Sequence, residues 1–327
     1  MGALRVIGGA EVRALMPMSE CIELMRVTLT AVSAGEAVIP LRSVIQPPGS
    51  PGRFGIMPGG VSGAGFGAKL LSLFPGNPAQ GLSSHLGVIV LFEPEHGLPV
   101  ALINAAEVTA IRTAAVSGLA TRLLAKPEAG DLAILGAGEQ GASHLAAMAC
   151  VRPLRRVRLW SRTPEHARAF AEREAVHSPV PIEVAGSVEE AVMGADLICT
   201  CTASREPILN GAWVAAGAHV NAVGASQAGA AEVDRGLLLR SRFVVDFRPS
   251  AEAEAGEYLM AKAAGALDAS HIVAELGEIA GGNKPGRTGA DEVTLFKSLG
   301  IAAEDVAVAR FLLDRAQAAG VGQLVEL

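Results

Sequence analysis

The segment that most restricts the possible folds is Gly136-Ala137-Gly138-Glu139-Gln140-Gly141, which follows the apolar run 132–135 and precedes a helix-forming stretch to about Cys150. A strand that enters a helix through Gly-x-Gly-x-x-Gly is the opening of a βαβ unit on a parallel sheet. Gly136 permits the tight turn, Gly138 lets a ligand approach the backbone, and Gly141 lets the helix pack closely on the strand. Amides at the helix start face an anion, so the whole turn, Glu139 and Gln140 included, is expected to cradle the pyrophosphate of NAD(H) or NADP(H). At the end of the second strand (157–161), an NAD-selective site usually has an acid for the ribose hydroxyl. This chain has Ser161-Arg162-Thr163 instead. An arginine between two hydroxyls suits a 2′-phosphate, which an acid would repel, so NADP(H) is favoured and NAD(H) stands second. The other reading of Arg162 is a solvated residue at a strand end.

Further apolar runs at 197–201, 219–223 and 243–246, together with a helix from Pro164 to about Ala175, continue the strand–helix alternation of a doubly wound parallel sheet. The pattern before Gly130 is different. Cys21, Ile22, Met25, Leu29 and Val32 recur at helical spacing, and the runs 54–57, 66–74, 88–92 and 100–103 read as a mostly antiparallel sheet. Asn104-Ala105-Ala106-Glu107 resembles a capping box opening a helix to about Leu124, and 303–319 reads as an amphipathic helix returning to the first domain.

A chain of 327 residues suggests two domains, and 50% hydrophobic with 18% charged residues excludes a disordered chain. A net charge of -6, with no Lys/Arg run longer than two, argues against nucleic acid and leaves a small-molecule partner. The apolar stretches 86–92 and 98–103 are far short of the roughly 20 residues of a membrane span. The first residues carry no basic segment followed by an apolar core, and the four cysteines form no Cys-x-x-Cys pair, so a cytoplasmic location is expected. Cys199 and Cys201 read as buried small residues on one side of a strand. His96, His144, His166, His177, His219 and His271 make no ligand-like pair, and no metal is assigned.

Six segments, taken in order, resemble the ornithine cyclodeaminase/mu-crystallin family: Gly67-Ala68-Lys69, Leu91-Phe92-Glu93-Pro94, Thr109-Ala110-Ile111-Arg112-Thr113-Ala114-Ala115, Leu135-Gly136-Ala137-Gly138, Asn221-Ala222-Val223-Gly224 and Phe296-Lys297-Ser298-Leu299-Gly300. The resemblance implies an α/β chain in which a Rossmann dinucleotide-binding domain (116–302) is inserted in an α+β substrate and dimerisation domain (1–115 with 303–327). It also implies a homodimer acting on small amino, imino or 2-oxo acids. Arg42, Lys69 and Arg112 match the residues that surround the substrate carboxylate. Ser84, Thr202, Val223 and Gly224 fall among the cofactor contacts. Independently, Arg112 interrupts a small apolar helix and Lys69 an apolar strand, which would be costly in a buried place without an anion. For each, a structural ion pair or a snorkelling side chain is the competing explanation.

Within the family, ornithine cyclodeaminase proper has a general-base aspartate after the Asn-Ala-Val-Gly strand, and the matching position here is Ser226. A serine supplies no anionic base near neutral pH. The resemblance is therefore closer to the mu-crystallin, ketimine-reducing type, as Ser83-Ser84-His85 also suggests. The expected reaction is NAD(P)H-dependent reduction of a cyclic imino acid such as Δ1-pyrroline-2-carboxylate or Δ1-piperideine-2-carboxylate. Arg42 and Arg112 would fix the carboxylate, Lys69 would lie between carboxylate and imine, and His85 or a water on Ser226 would keep the nitrogen protonated. The alternatives are ornithine cyclodeamination, alanine dehydrogenase-like reductive amination, and a cofactor-binding crystallin-like protein without catalysis.

Overall fold

The computed structural model describes residues 3–326, Pro78 and Ala79 by their backbone only; residues 1, 2 and 327, the ends of the expected outer domain, lie outside it. The chain opens with β1 (Ala3–Ile7), α1 (Gly9–Leu15), α2 (Met18–Ser33), β2 (Ala37–Val38) and β3 (Ser43–Ile45). Then come β4 (Arg53–Val61), β5 (Gly65–Leu73), β6 (His85–Phe92), β7 (Pro99–Asn104) and α3 (Ala105–Leu124). A strand–helix series follows: β8 (Asp131–Leu135), α4 (Glu139–Val151), β9 (Arg156–Trp160), α5 (Pro164–Glu174), β10 (Ile182–Val184), α6 (Val188–Val192), β11 (Leu197–Thr200) and β12 (His219–Ala222). It continues with α7 (Arg235–Arg240), β13 (Arg242–Val245), α8 (Arg248–Glu254), α9 (Gly256–Ala263), β14 (Ile272–Glu275), α10 (Leu276–Ala280) and β15 (Thr294–Lys297). The last elements are α11 (Ala302–Ala319) and β16 (Gln323–Glu326).

Contacts divide the chain into one unit of residues 1–112 with 301–327 and another of residues 113–300. The expected boundaries were 115/116 and 302/303, so the division falls three residues earlier in α3 and two residues earlier before α11. In the first unit the sheet order is β16-β1-β7-β6-β5-β4-β2, with β3 also on β4, and every neighbouring pair is antiparallel except β1 with β7. The short strands β1, β2, β3 and β16 were not foreseen, because two to five residues are too few to show an alternation.

Alternation within this sheet sorts its two faces. Met57, Lys69, Ile89 and Ile103 stand in one row across β4, β5, β6 and β7, all buried, and α11 packs against this sheet. On the opposite face, Ile45, Phe54, Ser72 and Leu86 form one row, and Ile56, Leu70 and Val88 form the next. These residues are half-buried or exposed although most are apolar. Helix α2 buries Cys21, Ile22, Met25, Leu29 and Val32, its 3.6-residue stripe.

In the second unit all eight strands are parallel, in the order β10-β9-β8-β11-β12-β15-β13-β14. The inner strands are buried along nearly their whole length, as a sheet covered on both faces requires. Strand order reverses between β8 and β11, and in open α/β sheets the crevice at the carboxyl ends of such strands is where ligands bind.

Candidate functional site

Within the first unit, the middle of β5 presents Lys69 to the first turn of α11. The Lys69 ammonium is 2.8 Å from Asp305 Oδ2 and 3.5 Å from Thr109 Oγ1 of α3. One turn along α3, Arg112 donates from Nε to Asp305 Oδ1 at 3.1 Å and from Nη1 to Glu304 Oε2 at 2.6 Å. All four charged side chains are buried: Lys69 at 3%, Arg112 at 4%, Glu304 and Asp305 at 0% exposure. Asp305 thus bridges the two cations, one oxygen to each. Arg42, half-buried before β3, adds its charge to the field at Lys69.

Burial, reinforced by the charge of Arg112 and opposed by Asp305, pushes Lys69 down to about 8. Burial alone would raise the Asp305 carboxyl, but Arg112 and Lys69 outweigh it and hold the group below the usual carboxylate range. Within the cluster the two cations Lys69 and Arg112 meet the two carboxylates Asp305 and Glu304. The anions that Lys69 and Arg112 require are therefore already supplied by the chain, so their burial does not by itself demand a ligand. Cys21 of α2 lies against the same charges; burial and Glu304 push its thiol up to about 12, which leaves it inert.

His85, at the start of β6, has an exposed ring whose Nδ1 is 2.9 Å from Ser84 Oγ. Desolvation by its neighbours and the charge of Lys69 hold it below its ordinary value, so it is neutral near pH 7.

The second unit contains the glycine turn. Gly136 has φ +122°, and a Cβ there would lie 2.4 Å from the Cys201 carbonyl oxygen; one at Gly141 would lie 2.3 Å from the Gly136 carbonyl oxygen. Only glycine closes this turn. Gly138, the N-cap of α4, is exposed, brings no side-chain acceptor to the helix, and faces open space where its Cβ would be. Glu139 is exposed and Gln140 half-buried on the first turn of α4. An uncapped helix start with open room before it fits a dinucleotide pyrophosphate. Beyond β9, Arg162 is exposed between half-buried Ser161 and Thr163, the last being the N-cap of α5.

The residues after β11 and β12 hang on one carboxylate that was not foreseen. Glu232, fully buried, accepts from Thr200 Oγ1, Thr202 N and Thr202 Oγ1, each at 2.7 Å, from Gly224 N at 2.6 Å, and from Ala225 N at 3.2 Å. The Ala225 carbonyl in turn accepts from buried Lys297, which pairs with Glu257 at 2.8 Å. Val223 is buried beside this segment, and half-buried Ser226 follows it. Asp246 takes the amides of Leu299 and Gly300 at 2.6 and 2.7 Å. The Phe-Lys-Ser-Leu-Gly segment is therefore an anchoring element of the second unit, with its lysine spent on backbone geometry.

Of the expected site residues, Arg42, Lys69, Ser84, His85 and Arg112 belong to the first unit and are mutually coupled around Lys69. The glycine turn, Ser161 to Thr163, Thr202, Val223, Gly224 and Ser226 belong to the second. Glu304 and Asp305 were missed. Adjacent acids at a helix start read as ordinary dipole partners, and the available signal was that buried cations elsewhere in the chain needed counter-charge.

Residues 5–320 match the ornithine cyclodeaminase/mu-crystallin family. Ketimine reductase mu-crystallin of Mus musculus is 39% identical over 281 residues, 86% of either chain. The structure of Thermococcus litoralis Δ1-pyrroline-2-carboxylate reductase in complex with NADH and L-proline superposes with a TM-score of 0.95 at 34% identity, covering 98% of this chain and 100% of that one. An archaeal alanine dehydrogenase dimer with bound NAD gives 0.93 at 29% identity, covering 99% of both.

Proposed function

The chain belongs to the ornithine cyclodeaminase/mu-crystallin family, and we propose that it uses NAD(P)H to reduce a small cyclic imino acid of the Δ1-pyrroline-2-carboxylate or Δ1-piperideine-2-carboxylate type to the cyclic amino acid. It is an NAD(P)-dependent oxidoreductase acting on a C–N bond. The observation that carries the substrate class is the buried Lys69–Arg112–Asp305–Glu304 cluster, whose ammonium has a pKa of about 8.

In the mechanism, Arg42 and Arg112 hold the carboxylate by charge-assisted hydrogen bonds. A dinucleotide, when bound, would supply the hydride for the imine carbon. Lys69, mostly protonated at pH 7, gives the nitrogen its proton. His85 is neutral there and serves as a hydrogen-bond partner to Ser84 in place of the acid role expected of it. Ser226 provides no anionic base, which favours reduction over amine deprotonation. Gly138 and Glu139 to Gly141 would hold the pyrophosphate, and Thr202, Val223 and Gly224 would lie against the cofactor. Ser161, Arg162 and Thr163 favour NADP(H) over NAD(H).

The active form we propose is a homodimer. The half-exposed apolar sheet face through Ile56, Leu70 and Val88 supports it, as does the likeness to a dehydrogenase dimer. No helix among the described residues is long and apolar enough to cross a membrane, and the four cysteines are unpaired thiols, which suits a reducing cytoplasm.

The test is NADPH and NADH oxidation by purified protein. Consumption with Δ1-pyrroline-2-carboxylate or Δ1-piperideine-2-carboxylate and no ammonia is expected. Oxidation only with pyruvate plus ammonia, or proline formed from ornithine without net cofactor turnover, would overturn the reading.

A further inference from the structure

We infer that Asp305, and Glu304 beside it, are the positioning residues of the carboxylate clamp, and that Asp305 sets the protonation of Lys69. This deepens the proposed reduction and rests on it. Neither acid is needed to hold α11 on the sheet by packing, since Ala303, Val306 and Ala307 are buried there too. Two ionised side chains in full burial are costly unless their partners define a geometry, and the geometry is specific. One carboxylate spans two cations, Oδ1 to Arg112 Nε at 3.1 Å and Oδ2 to Lys69 Nζ at 2.8 Å. Glu304 takes the other arm of the same guanidinium at 2.6 Å. Arg112 is thus held by Nε and Nη1, which fixes the plane of the guanidinium and with it the direction of its remaining donors.

The charged and titratable groups facing Lys69 are Arg112 on α3, Asp305 on α11, Arg42 before β3 and His85 on β6. Burial, Arg112 and Arg42 favour the neutral amine, while Asp305 favours the ammonium. A lysine that must be charged to face a carboxylate and to yield a proton therefore depends on Asp305. After Lys69 releases its proton to the imine nitrogen, Asp305 remains its hydrogen-bond acceptor and holds the neutral amine in place until solvent returns a proton.

The variant that isolates this is Asp305→Asn. Its amide oxygen still accepts from Arg112 Nε, while its NH2 turns a donor toward the Lys69 donors. Asp305→Glu keeps the charge and displaces it. In the wild type, kcat/KM for imino acid reduction falls on the basic side as Lys69 deprotonates near 8. In Asp305→Asn that limb moves to lower pH by about 1 to 3 units. KM for the imino acid rises, the affinity for NADPH is unchanged, and Asp305→Glu restores part of the limb. Glu304→Gln raises KM and leaves the limb where it is. A profile of Asp305→Asn that superposes on the wild type overturns the inference, as does a loss that follows thermal stability alone. Should Asp305→Asn not fold, Asp305→Ser, which also removes the charge, takes its place with the same readout, and an unmoved limb is again the negative. Failure of the proposed reduction is distinguishable, because the wild type then turns over no imino acid. In that case the pH dependence of L-proline binding reads the same Lys69 equilibrium in wild type and variant.

Discussion

Arg162 is the residue on which the proposed preference for NADP(H) rests. It is exposed, between two hydroxyls, where an NAD-selective site would have an acid. Arg162→Ala is expected to raise KM for NADPH about 10- to 100-fold, the worth of a charge-assisted hydrogen bond to phosphate, and to change KM for NADH by less than about 3-fold. Steady-state kinetics with both cofactors reads this, and equal effects on the two would remove the preference for NADP(H). At this scale the sequence revealed cations more readily than their partners. Lys69 and Arg112 stand out against apolar neighbours, whereas Glu304 and Asp305 lie about 190 residues away along the chain, in a helix whose start accommodates acids for local reasons.

Among the elements, long strands and helices were legible because their periods repeat several times. β5, β6, α2 and α3 all lie where alternation or 3.6-residue spacing puts them. β14 and β15 were missed, because each ends its short apolar run on an ionisable residue, Glu275 and Lys297. Glu232 was equally hidden, since its role exists only once the loops after β11 and β12 converge. Glu232→Gln leaves at least two of the five donors at this carboxylate without an acceptor. It should cost about 2 to 5 kcal/mol of stability, seen as a lower melting temperature, and should raise KM for the dinucleotide. Unchanged stability would mean the loops hold themselves.

Two buried imidazoles link these elements to pH. His144 on α4 bonds to Gln140 O and Ser117 Oγ, and His219 on β12 bonds to Thr294 Oγ1 and Asn221 Oδ1. Burial pushes them down to about 4 and about 3. The unfolded chain binds their protons below about 6.5 while the native state does not. Stability therefore falls as pH drops from about 6.5 toward 4, by about 1.4 kcal/mol per pH unit for each ring. Melting curves of wild type and His144→Gln between pH 7 and pH 4 should converge as the pH falls, and parallel curves would contradict this.

For the whole molecule, the uncovered apolar sheet face predicts association. Val88→Lys places a charge at the β6 end of the row Ile56, Leu70, Val88. Light scattering after size exclusion should show a dimer for the wild type and a monomer for the variant, with NADPH binding retained. A dimeric variant would move the interface elsewhere. The change of rhythm at Gly130 marks where the parallel series begins, because a parallel sheet needs crossovers and an antiparallel one does not. The surface proposed for association shows no such mark in the sequence, because half-exposed apolar rows appear only when registers are known.

The first unit is closed by α11, and α11 brings Glu304 and Asp305 to Lys69 and Arg112. On the ribosome the strands β4, β5 and β6 emerge early, and more than two hundred residues are made before that helix follows. Until then the sheet holds Lys69 without its counter-charge and its buried face without a cover. Translation order thus makes the Lys69–Arg112–Asp305 cluster one of the last parts of the molecule that can form, with only β16 made after α11. A nascent chain released before residue 305 would carry a complete glycine turn but lack the acid that bridges the clamp.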